Sequence, residues 1–276
     1  MASMHSGKFK RSLRIVFLLA LSATLSGCIY WIRAYQVYLQ MDEFDRHFSV
    51  VADDEFTLRF KDPILYSQDF VSLSKLYASQ DDPTADGRRW RYWFRKVDGN
   101  NMLIKPEVKF YSDLSFNKDN RLIAWSFSSL FLAIAPPKFL EASLRSIGGA
   151  EIDKEKQQLK ANSALLEKIS EDLPKKPAVL AQLGEPFEVK DEAEQEVYIY
   201  RFLLETHHIE AGYEDRALNE VKITFDKKSQ ELVRMAGRFA GLKVSINYRK
   251  FLDEPQDVAQ SKPEVLGQAI WIMIDA

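Results

Sequence analysis

The chain has 276 residues, with 38 basic side chains against 40 acidic ones and a formal net charge of −2. That balance gives nucleic acid no electrostatic footprint to bind, and the length suits one large domain or two small ones. A single cysteine, Cys28, excludes an intramolecular disulfide, while an aromatic content of 12% suits half-buried sheets.

Residues 1–14 carry Lys8, Lys10, Arg11 and Arg14 and no acid, and the apolar run Ile15–Leu21 follows, giving way to small residues. This is the layout of an export leader, here residues 1–27. The stretch Ile15–Gly27 is too short, and too interrupted by Ser22, Thr24 and Ser26, to span a bilayer, which takes about 20 apolar residues. Leu25-Ser26-Gly27-Cys28 resembles the bacterial lipobox. The resemblance implies that Cys28 is acylated and becomes the first residue of the mature chain, anchored in a membrane. Multiple acyl chains would anchor it firmly, each buried methylene contributing about 0.8 kcal/mol. Ile29, where an inner-membrane lipoprotein would carry Asp, implies the outer membrane, facing the periplasm. Loss of the four leader cations moves the balance from −2 to −6.

Tyr30 to Phe48 is aromatic and fits a helix with Tyr30, Ala34, Val37, Met41 and Phe44 on one face. It starts directly after Cys28 with no polar tether, which places the folded part close to the membrane. Phe56–Phe60 alternates as a strand and stops at Asp62-Pro63. Ser67 is the expected N-cap of a helix through SQDFVSLSKLY, with Asp69 in its first turn. Gln80–Gly87 reads as a loop by composition. Gly87–Val97 reads as a strand with Trp90, Tyr92 and Phe94 on one face and Arg91, Trp93 and Arg95 on the other. A hairpin follows from Val108 to Phe127, turning at Asn117–Asn120. Leu130–Ile134 is an apolar run expected as a third strand, and Lys138–Ile147 a short helix closed by Gly148-Gly149.

The second half is expected to open on a long polar helix, Ile152–Leu173, with Leu165, Leu166, Ile169 and Leu173 on one stripe. Pro174 and Pro177 break it, and Ala178–Leu183 makes a short helix stopped by Gly184. Strands Val197–Phe202, Val221–Phe225 and Leu232–Phe239 follow, then the alternating run Leu242–Tyr248. The apolar stretch Ala269–Ile274 is expected to dock as a strand or to cover a groove, after a polar linker.

Leu114–Phe127 and Ile223–Phe239 share an order of strand, Phe, Asn/Asp-Lys turn and strand, about 110 residues apart. Each is preceded by an aromatic strand and followed by a Lys-Phe-Leu. The expectation is therefore an α+β fold of two repeated units, each with helices packed on an antiparallel sheet. The boundaries are a leader at 1–27, a first unit at 28–150, a second at 151–252, and a linker with an apolar end at 253–276.

From VLAQLGEPFEV onward, the second half resembles the small outer-membrane lipoproteins of the BamE/SmpA kind. The matching positions are Val179, Leu183, Gly184, Pro186, Tyr198 and Tyr200, within about residues 160–250. A tandem of the unit is also similar to the β-lactamase inhibitor proteins. The resemblance implies helices on a three-stranded sheet and a place in outer-membrane assembly or maintenance. The chain is about twice that family's size, and its first half lacks a Leu-Gly-x-Pro stop.

No motif for a nucleophile, a nucleotide, a cofactor or a metal occurs in the sequence. His207-His208, between Glu205 and Glu210, would point to opposite faces if on a strand and so would not converge on a metal; the stretch reads as a solvated loop. Asp53-Asp54 and Asp81-Asp82 fall in turn-like stretches, where Asp serves the backbone. The reading is a non-enzyme, without cofactor, catalytic residue or metal site. Cys28 is its lipidation site and membrane link. Arg91, Trp93 and Arg95 are the candidate contact residues for an envelope protein partner. Alternatively, the helix from Ser67 to Tyr77 covers that face and the arginines extend past it to water. A rival function is carriage of a lipid or other apolar ligand in a cavity between sheet and helices.

Overall fold

The computed structural model describes residues 29–153, 158–161, 166–239, 242–253 and 270–274. Cys28, the leader and the linker at 254–269 lie outside the described residues. The chain opens with a helix, α1 (Ile29–Gln40), continued by a 3-10 turn (Met41–Glu43) and one helical turn, α2 (Phe44–His47). The first strands are β1 (Phe48–Ala52) and β2 (Phe56–Phe60), then a helix α3 (Ser67–Ser74), then β3 (Gln80–Thr84), β4 (Gly87–Lys96), β5 (Lys109–Asn117) and β6 (Leu122–Phe127). Helices α4 (Ser129–Leu132) and α5 (Pro137–Arg145) lead to β7 (Glu151–Asp153) and β8 (Gln158–Lys160). Helix α6 (Lys176–Leu183) precedes β9 (Glu188–Asp191), β10 (Gln195–Glu205), β11 (Leu218–Asp226), β12 (Leu232–Phe239), β13 (Leu242–Asn247) and β14 (Ile270–Ile274).

All 14 strands join one antiparallel sheet in the order β1-β2-β6-β5-β4-β10-β11-β12-β13-β14-β8-β7, with β3 on β4 and β9 on β10. The sheet curls into a half-barrel. This corrects the α+β expectation of two repeated helix-on-sheet units: the helices are few and short, and one sheet runs from end to end.

The principal cause is the segment expected as the helix Ile152–Leu173. Ile152 and Asp153 instead pair with Leu159 and Gln158 in a β7–β8 hairpin, which is completed by β14 against β8. Ile169 N–H donates to Phe251 O at 2.8 Å, so that stretch is extended too. Leu166 and Leu173 are buried as expected, but from a non-helical backbone, and Leu165 lies outside the described residues. Tertiary pairing has overridden a helix propensity that is worth only tenths of a kcal/mol per residue. The apolar run at Leu130–Ile134 errs the other way, since it forms α4 rather than a strand; four or five apolar residues fix no period. Gln80–Thr84 is a strand rather than a loop, pairing along β4 from Gln80↔Arg91 to Thr84↔Gly87. Pro83 fits there because β3 pairs on one side only. Ser67 is the first helical residue of α3 rather than its cap; Asp69 accepts the Tyr66 N–H at 2.8 Å and closes that turn.

Alternation places Trp90, Tyr92 and Phe94 in the core, as expected. Phe94 stacks on Phe110 at 4.9 Å, and Phe202 meets Phe110 edge-on at 4.9 Å. The core side of the sheet is filled by the helices. Phe131 of α4 packs on Phe110 and Phe127, and Phe139 of α5 on Tyr248, all with centroids within 5.7 Å. Helix α3 lies on this same side, its Phe70 edge-on to Phe116 at 6.0 Å.

The two halves of the chain meet at a narrow seam. The start of β4 pairs with β3 and only its end, Trp93–Lys96, pairs with β10, at Glu205–Phe202. Across the seam the buried Lys96 ammonium donates to Leu183 O at 2.6 Å and to Glu185 O at 2.5 Å, satisfying carbonyls at the end of α6. Gly184, with φ +66°, ends that helix in the conformation expected of glycine.

The β11–β12 turn depends on one carboxylate. Asp226 Oδ1 accepts the N–H groups of Lys228 (3.0 Å) and Ser229 (2.8 Å), and Oδ2 accepts Arg249 at 2.7 Å. The Ser229 N–H, and after it Arg249, hold this carboxyl down at about 2, against an ordinary 3.8. A depressed folded-state value stabilises the fold above the unfolded value, and the contribution is lost as pH falls through 3.8 toward about 2. Asp226→Ala is therefore expected to cost about 1 kcal/mol at pH 7, after screening by solvent, and progressively less as pH falls below 3.8. Urea melts of both proteins across that range check it.

Candidate functional site: the outward face of β4

Because side chains alternate, burial of Trp90, Tyr92 and Phe94 turns Arg91, Trp93 and Arg95 to the face away from the core. The register sets Arg91 opposite Asp113, Trp93 opposite Tyr111 and Arg95 opposite Lys109 on β5, and Trp93 opposite Glu205 on β10. Helix α3 packs on the core side, with Phe70 against Phe116, so it does not cover these residues.

Arg91 is fully engaged. Its Nε and one terminal nitrogen donate to the two oxygens of Asp113 at 2.7 and 2.6 Å, and its guanidinium stacks 3.7 Å from the Tyr111 ring centroid. The Asp113 hydrogen bond pushes the Arg91 pKa further up. Tyr111 donates its hydroxyl to Glu55. Burial first, and then Glu55, push the Tyr111 phenol up to about 12.

Trp93 is half-buried and carries a different environment. Its ring meets Tyr111 edge-on at 5.0 Å, and the Lys109 ammonium lies 4.9 Å from it. The indole N–H reaches Gln80 Oε1 at 3.4 Å. Its backbone is fixed by the buried Ser79, whose hydroxyl accepts the Trp93 N–H at 2.8 Å and donates to Glu205 O. Arg95 donates to Glu107 at 2.6 Å and approaches Glu205 at 3.4 Å. Gln80, Trp93, Arg95, Lys109 and Glu205 together line an open depression of about 280 Å³.

The three sequence-predicted residues thus share one face but divide by role. Arg91 belongs to an ion pair with an almost fully buried acid, whereas Trp93 and Arg95 front the depression. Lys109 was legible as an outward residue of an alternating strand. Glu205 and Ser79 had no sequence signal, because they enter through the β4–β10 seam, between segments 110 residues apart for Arg95 and Glu205. Cys28 lies outside the described residues. Elsewhere, His208 packs its ring against Tyr77 at 5.1 Å, and Asp81 and Asp82 pair with Arg88 and Arg89. Among the described residues no group of three or more His, Cys, Asp and Glu is placed to hold a metal ion, and no helix is long and apolar enough to cross a membrane.

Comparison with protein-family models, with curated proteins and with solved structures finds no match to this chain.

Proposed function

We propose that this chain is a lipid-anchored, non-enzymatic interaction module of the bacterial envelope, tethered through Cys28 at the outer membrane, that holds a protein partner on the sheet face around Trp93. The observation that carries the reading is the placement of Trp93. It is a large aromatic ring only partly buried on the face of β4 opposite the core, its backbone fixed by Ser79, with Arg95 beside it. Trp and Arg are the residues that most often dominate protein interfaces. The depression carries both signs, Arg95 and Lys109 against Glu205, with Glu107 alongside, which suits a protein surface of mixed charge better than a polyanion. Carriage of an apolar ligand has less support, because Phe131, Phe139 and Tyr248 pack into the space between sheet and helices that a carrier would keep open.

The test is site-specific photo-crosslinking in intact cells. A crosslinker at Lys109 is expected to give a discrete adduct, and one at the exposed Lys222, which sits on β11 opposite Ile199 and so six residues along β10 from Glu205, none. Trp93→Ala is expected to weaken capture by about 30-fold, corresponding to about 2 kcal/mol, with the thermal midpoint within a few degrees of the parent. Equal adducts from both positions, or capture unchanged by Trp93→Ala, would overturn the reading.

A further inference from the structure

Helix α1 is apolar on both sides, and the fold uses only one of them. Its inner side is pinned along its length. Val37 enters the core, Arg33 pairs with Asp69 at 2.9 Å and lies over the Tyr66 ring, and Tyr38 donates to Ala150 O at 2.7 Å. Gln40, at the far end, donates to Asp62 O at 3.1 Å. With these contacts in place the helix cannot roll, so its other side must face outward.

That outward side is Ile29, Trp31, Ile32, Tyr35 and Leu39, each between 39% and 55% exposed. At 100° per residue, Trp31, Ile32, Tyr35 and Leu39 fall within an arc of about 100°, with Gln36 at its rim. No Lys, Arg, Asp or Glu interrupts it. These five make up nearly half of the large apolar side chains exposed among the described residues, gathered on one short helix. An ordinary surface helix carries charge there.

We propose that this face lies in a phospholipid bilayer, with α1 parallel to the membrane plane and the curled sheet standing behind it. Three observations name the occupant. The chain enters α1 at Ile29, directly after Cys28, so an acyl anchor on that cysteine delivers the first turn of the helix to the bilayer surface; in this respect the inference rests on the lipid-anchor reading. The exposed set combines aliphatic residues with Trp31 and Tyr35, amphipathic rings that partition to the boundary between headgroup and acyl chain. Tyr38, stacked on Tyr35 at 5.8 Å, ties the outward face to the folded body, so membrane contact orients the whole domain and not only the helix. A lone acyl tether lets a domain tumble; a pinned apolar helix beside the tether fixes which way the Trp93 face looks.

The test uses the full chain, produced with its leader in bacterial cells and reconstituted into vesicles of phosphatidylethanolamine and phosphatidylglycerol containing a nitroxide-labelled lipid. An environment-sensitive fluorescent amino acid is placed at position 32, 39 or 222. Quenching at 32 and 39 is expected to exceed that at 222 by about threefold or more, with a blue-shifted emission. Ile32 and Leu39 are exposed, so neither replacement disturbs the core, and the thermal midpoint verifies this. Equal quenching at all three positions overturns the membrane-facing helix. Intact mass spectrometry of the same preparation reads acylation of Cys28 independently. Acylated protein with unquenched probes sinks the helix face alone, and unacylated Cys28 sinks the anchor, while quenching decides the helix face in either case.

Discussion

Phe202→Ala is expected to destabilise the protein by about 3–5 kcal/mol, a large part of the about 5–15 kcal/mol that holds a typical domain together. Phe202 is completely buried on β10, and it pairs with Lys96 at the seam between the two halves of the sheet. Its ring packs edge-on to Phe110, which stacks on Phe94 and touches Phe131. One truncation therefore opens a cavity that borders β4, β5, β10 and α4 together. The seam has only four paired positions, so neighbouring strands offer little ladder to hold it closed while side chains relax. Phe202→Leu keeps most of the volume and is expected to cost about 1–1.5 kcal/mol. Urea melts that gave similar midpoints for the parent and Phe202→Ala would show that the halves stand without this contact. A split transition in the alanine variant would show that they unfold separately once it is gone.

The strands that could be read from the sequence were those with long, strict alternation. RRWRYWFRK and the flanks of the turns at Asn117 and Asp226 announce their faces residue by residue, and the structure places Trp90, Tyr92, Phe94, Val221, Ile223 and Phe225 inside. Short helices ended by Gly or opened by Pro were also legible, at Pro137–Arg145 and Lys176–Leu183. What misled was the assumption that each half covers its own sheet. The polar stretch after Glu151 has good helix formers and a four-residue apolar stripe, yet its strands close on β14 from the far end of the chain. No local pattern encodes a partner more than a hundred residues away. The β4–β10 seam has the same character, and with it the part of the depression that Glu205 supplies. Along α1 and the two turns after it, Val37, Met41 and Phe44 of the expected stripe are buried while Tyr30 and Ala34 are only partly so; the second apolar stripe became visible only once the first was seen to be occupied.

Within the trio the structure sets Arg91, paired to the buried Asp113, apart from the more exposed Arg95, and Asp113→Ala is the variant that shows it, with an expected loss of about 2–4 kcal/mol. Asp113 is only 8% exposed in its side chain and Arg91 18%, so both charges are largely desolvated. Their bidentate geometry, with a second guanidinium at Arg89 3.9 Å away and the Tyr111 ring beneath Arg91, offsets that desolvation. Removing the carboxylate leaves Arg91 half-buried with its charge unmatched, and removing Arg91 leaves Asp113 with only the distant Arg89. Arg91→Ala is therefore expected to cost a similar amount. The double variant should cost less than the sum by about 1.5–3 kcal/mol, because the second truncation removes the group that the first left stranded. Arg95 behaves differently, since its partners Glu107 and Glu205 are 37% and 51% exposed, and such ion pairs contribute about 0–1 kcal/mol. Arg95→Ala should then leave the melting curve nearly unmoved while weakening partner capture, the reverse of what Arg91→Ala and Asp113→Ala do per unit of lost stability. Chemical melts of the four variants, read beside crosslinking yields at Lys109, check both halves of the claim. A strictly additive cycle would mean that Arg91 and Asp113 are each held by other groups and that the pair is incidental.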